Sequence, residues 1–309
     1  MHKRLVRRIG VGAIIVLFLV FIGSLLTHQG SNSNTKNKQL QVVAGENFWG
    51  SLVSQLGGSH VHVTSIVSDP NADPHEYESN TGTAREFATA DYVILNGAGY
   101  DSWGDKLLSA NNRSSRKVLD VADLLGKKDG DNPHFWYNPA YVNTVIKQMD
   151  SDLISLDPSD AAYYKSQLVK LQQSLSGYQN RITQIKQQYS GTQVAATEDI
   201  FQYLANAAGL DLVSPQAFIS AVAEGNDPPT DSVTQFQQQL EDGHIRVLVY
   251  NEQTVTPLTE SIKKLAADQG IPVIGVTETI QPPNTSFQDW MNAELINLQN
   301  ALNAQALGN

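Results

Sequence analysis

Two histidines stand in settings that suit metal ligation. His75 and His134 each follow a proline in a polar loop, with aromatic residues just beyond: Pro74-His75-Glu-Tyr77 and Pro133-His134-Phe-Trp-Tyr137. A neutral imidazole is the commonest protein ligand for zinc and also suits manganese or iron. Two acids of the second half, Glu198 and Glu278, sit at the ends of strand-like runs, where a carboxylate could complete such a set. Each also has a plainer reading. The histidines could be loop residues with no shared task, and Glu198, just before Asp199-Ile-Phe, could serve the start of a helix. His60 and His62 share one strand face and could chelate or simply be solvated. His244 follows Gly243 at a helix end, where a cation suits the dipole. His2 and His28 flank an apolar N-terminal run.

The elements that must position these side chains alternate along the chain. Residues 40–45, 60–67, 92–96 and 117–121 read as strands, with helix-like stretches at 47–56, 83–90, 103–109 and 141–156 between and after them. The second half repeats the alternation, with strands at 193–197, 210–213, 246–251 and 272–278 and helices at 200–208, from 231, 257–269 and 287–306. Strands alternating with helices imply parallel sheets covered on both faces, and ligands in such sheets sit beyond the carboxyl ends of the strands. That rule selects the loops holding His75, His134, Glu198 and Glu278.

Between the halves lies one long helical pattern. Tyr164, Leu168, Leu171, Leu175, Tyr178, Ile182, Ile185 and Tyr189 recur in steps of four and three, a single helical stripe. Asp157-Pro158 reads as an N-cap followed by proline in the first turn. A helix of ~32 residues would span roughly 48 Å at 1.5 Å per residue. The expected fold is therefore α/β: two lobes, each a parallel sheet flanked by helices, joined by a single long backbone helix. The expected boundaries are 1–38 for a leader and tether, 39–156 for the first lobe, 157–190 for the linking helix and 191–309 for the second lobe.

The chain has 309 residues and a net charge of −10, which argues against nucleic acid as a partner. It has no cysteine, which removes disulfides, thiolate metal sites, thiol nucleophiles and a lipoprotein thioether together. Lys3, Arg4, Arg7 and Arg8 precede an uncharged apolar run over residues 9–26. The run reads as a signal peptide with a long core or as an uncleaved transmembrane anchor. Its ~18 residues and the lack of an A-x-A site favour the anchor. The basic flank places the N-terminus inside and the rest outside. Residues 31–38 are polar and read as a tether.

Four motifs, in order, carry a family resemblance: Asn71-Ala-Asp-Pro-His75-Glu-Tyr-Glu, Asn132-Pro-His134-Phe-Trp-Tyr-Asn-Pro, Thr197-Glu198-Asp-Ile-Phe-Gln-Tyr-Leu and Val276-Thr-Glu278-Thr. They are supported by Asp91-Tyr-Val-Ile-Leu-Asn-Gly-Ala-Gly-Tyr-Asp-Ser-Trp. From about Val42 onward the chain resembles the solute-binding proteins of manganese and zinc ABC transporters. The resemblance implies two lobes joined by one long helix and a single divalent ion in the cleft, with no other cofactor. It implies His75 and His134 as ligands from the first lobe and Glu198 and Glu278 from the second. The fourth position in the family is often Asp, so Glu278 is a departure, and Glu252 is its nearest rival. Many relatives are lipoproteins, whereas this chain lacks the cysteine. The His-rich loop of zinc-specific members is replaced by the short Gly126-Lys-Lys-Asp-Gly-Asp-Asn.

The implied function is capture of Mn²⁺ or Zn²⁺ outside the cytoplasm and delivery to an ABC permease and its ATPase, by a monomer tethered to the outer face of the cell membrane or secreted. Two imidazoles and two carboxylates accept zinc at four-coordination or manganese at higher coordination. The carboxylate pair leans to manganese and the Irving–Williams order to zinc, which leaves the metal open. Two other functions are compatible with parts of the sequence. One is an anchored surface adhesion or interaction module. The other is a metallohydrolase, disfavoured because no H-E-x-x-H, G-x-S-x-G or P-loop is present and a four-ligand site leaves no open position for water.

Overall fold

The computed structural model describes residues 39–71 and 73–304. The expected leader, anchor and tether lie outside the described residues. Among those described, no helix is long and apolar enough to cross a membrane.

The first half runs β1 (Leu40–Glu46), α1 (Asn47–Gly57), β2 (Val61–Val67), α2 (Thr81–Thr89), β3 (Tyr92–Leu95), α3 (Ser102–Ala110), β4 (Lys117–Asp120), α4 (Val121–Leu125) and α5 (Pro139–Leu156). Next comes the long helix α6 (Ala161–Tyr189). The second half runs β5 (Gln193–Ala196), α7 (Gln202–Ala207), β6 (Asp211–Leu212), α8 (Gln216–Ala223), α9 (Thr230–Glu241), β7 (Leu248–Asn251), α10 (Pro257–Asp268), β8 (Val273–Val276) and α11 (Phe287–Ala304). Each half forms a four-stranded sheet, in the orders β2-β1-β3-β4 and β6-β5-β7-β8. All pairs are parallel, with Ala44 opposite Ser65 and Ile94 in one sheet and Val249 opposite Ala196 and Ile274 in the other. The strand order reverses between β1 and β3 and again between β5 and β7, which creates a crevice at the carboxyl end of each sheet.

Helix α6 is hydrophobic along one stripe because that stripe is covered. Tyr164, Leu171, Leu175, Tyr178, Ile182 and Ile185 are buried, and Leu168 and Tyr189 pack against the same core. That core takes in residues of both lobes, from Val42 and Ile94 to Val194 and Val276. Two smaller cores cover the outer faces, one around Phe87 and Trp103 and one around Phe218 and Phe236. Each buried apolar side chain contributes about 1.5–3 kcal/mol relative to exposure, so the stripe binds the two lobes into one body.

The start of the long helix differs from expectation. Residues Pro158–Asp160 wind as a 3-10 turn, so α6 is 29 residues long and begins at Ala161. Asp157 does not cap backbone amides. Its carboxylate instead accepts from Ser159 Oγ at 2.6 Å and Tyr164 OH at 3.1 Å. Helix α11 also returns along α6: Arg181 donates to Asn292 Oδ1 and to Gln299 Oε1, each at 2.8 Å.

Candidate metal centre

His75 sits in a 3-10 turn, Pro74–Glu76, beyond the end of β2. Asp73 caps this turn by accepting the His75 amide at 2.9 Å, and its other oxygen accepts from Thr254 Oγ1 of the opposite lobe at 3.2 Å. His134 precedes a second 3-10 turn, Phe135–Tyr137, that leads into α5. Asn132 shapes this corner, since its Oδ1 accepts the His134 amide at 3.0 Å and lies 2.9 Å from His134 Nδ1. Asp199 Oδ1, from the second lobe, lies 3.1 Å from the same ring nitrogen. With Nδ1 engaged by Asn132 Oδ1, Nε2 is the atom left to face the cleft.

Glu278 follows β8 and is fully buried. Its Oε2 lies 3.4 Å from His75 Nε2 and 3.8 Å from His134 Nε2. One ligand atom from each of His75, His134 and Glu278 lies within 4.8 Å of the others, so the three converge on one point between the lobes. The Tyr100 hydroxyl donates to Glu278 Oε2 at 2.6 Å, and the Asn251 side-chain amide donates to Oε1, also at 2.6 Å. Tyr100 reaches the cleft through a turn in which Gly97, Ala98 and Gly99 all have positive φ, at 73°, 54° and 85°. For Ala98 that conformation is costly, and it persists because the turn is tied from within: the Asp101 carboxylate accepts the amides of Asn96 at 2.6 Å and Gly97 at 2.8 Å.

Glu198 lies beside this triad rather than in it. Its Oε1 accepts from Asn251 Nδ2 at 2.8 Å, so one amide nitrogen bridges Glu198 and Glu278. Glu198 Oε2 is buried without a hydrogen-bond partner among the described residues. Glu198 does not cap the following turn with its side chain. The rival acid, Glu252, points elsewhere. It is exposed and lies against Gly275 of β8, where an added Cβ would come within 2.0 Å of its Oε1.

The electrostatics follow from burial and proximity. Burial opposes charge on Glu278, but His75, His134 and Tyr100 outweigh it and hold its carboxyl well below the usual range. Burial, with the negative charge of Glu278, pushes Glu198 up to about 8. Burial likewise disfavours the imidazolium of His134, yet Asp199 and Glu278 raise it to about 10. Without a cation the triad therefore keeps a proton on His134, and a divalent ion bound at Nε2 would displace it.

Two further features bear on the sequence-based expectations. His62 is exposed on β2, whereas His60 turns inward and pairs through Nδ1 with Asp160 Oδ2 at 2.9 Å, beside Asp157. That group sits at the N-terminal edge of the sheet, the end opposite the cleft. Sequence reasoning assigned no role to Asn251, Tyr100 or Asp199. Asn251 ends β7 at the switch point of its sheet, the position the strand-end rule points to.

Residues 42–301 match the family model described as ZnuA, the periplasmic component A of a zinc-uptake complex. A manganese ABC transporter substrate-binding lipoprotein, PsaA of Streptococcus anginosus, is 24% identical over 280 residues, covering 85% of this chain and 87% of that protein. Among solved structures, the solute-binding protein FpvC of Pseudomonas aeruginosa in complex with Mn²⁺ superposes with a TM-score of 0.72 at 18% identity, over 87% of this chain and 100% of that one. The periplasmic zinc-binding protein TroA of Treponema pallidum gives 0.72 at 16% identity, over 86% and 99%. At such identities these two likenesses show the fold.

Proposed function

The chain belongs to the family of periplasmic zinc-uptake component A proteins, and from that premise we propose that it is an extracytoplasmic solute-binding protein that captures Mn²⁺ or Zn²⁺ and delivers it to an ABC permease. The observation that carries this reading is the convergence of His75 Nε2, His134 Nε2 and Glu278 Oε2 between the lobes. Two imidazoles and a carboxylate form a donor set for a borderline divalent cation, and the metal is the cargo.

Glu198 is the fourth ligand in this reading. Its Oε2, buried without a hydrogen-bond partner among the described residues, is the atom it would offer to the ion. The site thus holds itself together without metal through Asn251, Tyr100 and the proton on His134. The ion binds the closed arrangement better than any open one and shifts the population towards it. The shared core along α6 limits the movement, so closure is local. The N-terminal segment holds the protein at the outer face of the membrane, and the loaded monomer docks on the permease, which its ATPase drives. The protein releases its ligand unchanged and is not an enzyme.

Isothermal titration of the full chain, purified free of metal, tests the reading. Submicromolar binding of Mn²⁺ or Zn²⁺ at one ion per chain is expected, with release of protons into the buffer. No submicromolar binding of either ion, or an affinity unchanged in His75→Ala, overturns it.

A further inference from the structure

On the far side of the Glu278 loop from the imidazoles lies another buried carboxylate, Glu294 of α11. Its Oε1 accepts the Thr277 amide at 3.0 Å, and its Oε2 accepts the Tyr137 hydroxyl at 2.7 Å. The same hydroxyl lies 2.9 Å from the Thr277 carbonyl. Thr277 Oγ1 accepts from Trp290 Nε1 at 3.0 Å and donates to the Thr279 carbonyl at 2.9 Å. Tyr137 closes the turn that begins beside His134, and Thr277 immediately precedes Glu278. Glu294 therefore grips the ligand segment of one lobe with one oxygen and that of the other lobe with the second. Taking a carboxylate out of water is unfavourable unless its oxygens are matched, and here both are. Burial raises Glu294 to about 8, against the hydrogen bonds from Tyr137 and Thr277.

We propose that Glu294 is a positioning residue for the metal: through Tyr137 and Thr277 it sets the spacing of His134 and Glu278 from behind the cleft. The inference rests on the reading of the cleft as a metal site. The helix that carries Glu294 is well anchored. Besides its bonds to Arg181, α11 meets α1, where the Phe287 amide donates to Ser51 Oγ at 3.1 Å and Gln288 Nε2 to Gln55 Oε1 at 2.9 Å. The back of the cleft is thereby a fixed strut. At the opposite rim, Thr254 Oγ1 donates to Asp73 Oδ2, and Asn132 donates to the Asp199 carbonyl and Gln202 Oε1 while its carbonyl accepts from Tyr203 OH.

The test uses the full chain with Tyr137→Phe, Glu294→Gln and the double variant, each nearly isosteric with the original. Mn²⁺ affinity is measured by titration, ligand geometry by the visible absorption of bound Co²⁺, and stability by the metal-free melting temperature. Each single variant should raise the Mn²⁺ Kd by about tenfold, the scale of an outer residue that orients a ligand, and should shift the Co²⁺ bands. The double variant should lose little more than either single one, because the two residues share one hydrogen bond. Lowered melting temperatures with unchanged Kd and Co²⁺ spectra would reduce Glu294 to a structural residue and overturn the proposal, as would additive losses. If the unsubstituted chain binds neither ion, the cleft reading itself fails and takes the strut with it, so the two failures are told apart.

Discussion

In the N-terminal lobe the crevice between the ends of β1 and β3 is filled by Glu46, Asn96 and Asp101; in the C-terminal lobe the matching crevice between β5 and β7 holds Glu198 and Asn251. The strand orders are the same, yet the two crevices do different things with buried acid. Glu46, fully buried beside Asp101, is pushed well up by burial and by that neighbour. Asp101, at about 6, spends its oxygens on the backbone of the turn that presents Tyr100. The first lobe thus uses its acids as framework and offers imidazoles from loops farther out. The second lobe places its acids in the cleft, with Asn251 joining Glu198 to Glu278. Equal topology sets where a site can be, and the residue types at the strand ends decide what it holds.

The contrast is broken most sharply by removing one donor from each side. His75→Ala and His134→Ala should each weaken Mn²⁺ or Zn²⁺ binding by more than roughly 100-fold, beyond the range of an outer residue. Glu198→Gln should have a smaller effect, roughly 10- to 100-fold, because Glu198 lies beside the triad rather than in it. Titration of the three variants checks the ranking, and a Glu198→Gln loss as large as that of His134→Ala would place all four donors on equal terms.

A second effect follows from protons. In the metal-free chain Glu198 is raised from 4.5 to about 8 and His134 from 6.5 to about 10. A raised group contributes stability that is fully present below its unfolded value and lost as pH rises through its folded value. Glu198 loses its contribution between about 4.5 and 8, and His134 between about 6.5 and 10. Glu278 has the opposite sign, but its window lies below 4.5. The metal-free melting temperature should therefore fall by roughly 5 °C or more between pH 5.5 and 9, at 2–4 °C per kcal/mol for a chain of this class. Saturating metal should flatten the curve, because the cation replaces the proton. A metal-free melting temperature that rises across this range would show that the carboxylates carry no such protons.

The smallest effects should fall equally on the two lobes, at helix starts that hold no candidate ligand. Asn80 caps α2 by accepting the amides of Gly82 and Thr83, and Thr256 caps α10 in a reciprocal box with Thr259. Asn80→Ala and Thr256→Ala should each cost about 1 kcal/mol of stability and leave metal affinity unchanged, as measured by thermal melting and titration. An affinity change in only one of them would mean that its lobe transmits strain to the site.

Most of the architecture was legible because helices and strands announce themselves by local periodicity. The stripe from Tyr164 to Tyr189 and the alternation of strands and helices need only neighbours within a few turns. The loops of His75 and His134 were found by the same local reading, joined to the rule about strand ends. The sequence could not show that Asp157 turns its carboxylate to Ser159 and Tyr164, because that choice depends on how the first turn winds. Nor could it separate Glu278 from Glu252, two acids near the ends of adjacent strands in one sheet. Only the tertiary packing shows that Glu252 lies over Gly275 while Glu278 lies beside His75 and His134.

The chain by itself determined its α/β pattern, its linking helix and its candidate imidazoles, because these follow from side-chain period and residue type along short stretches. The tertiary structure alone decided which oxygens meet those imidazoles, that one amide spans two carboxylates, and that Glu294 joins Tyr137 to Thr277. These contacts reach from residue 75 to residue 278, and no local pattern carries the distance between side chains brought together by crossing strands.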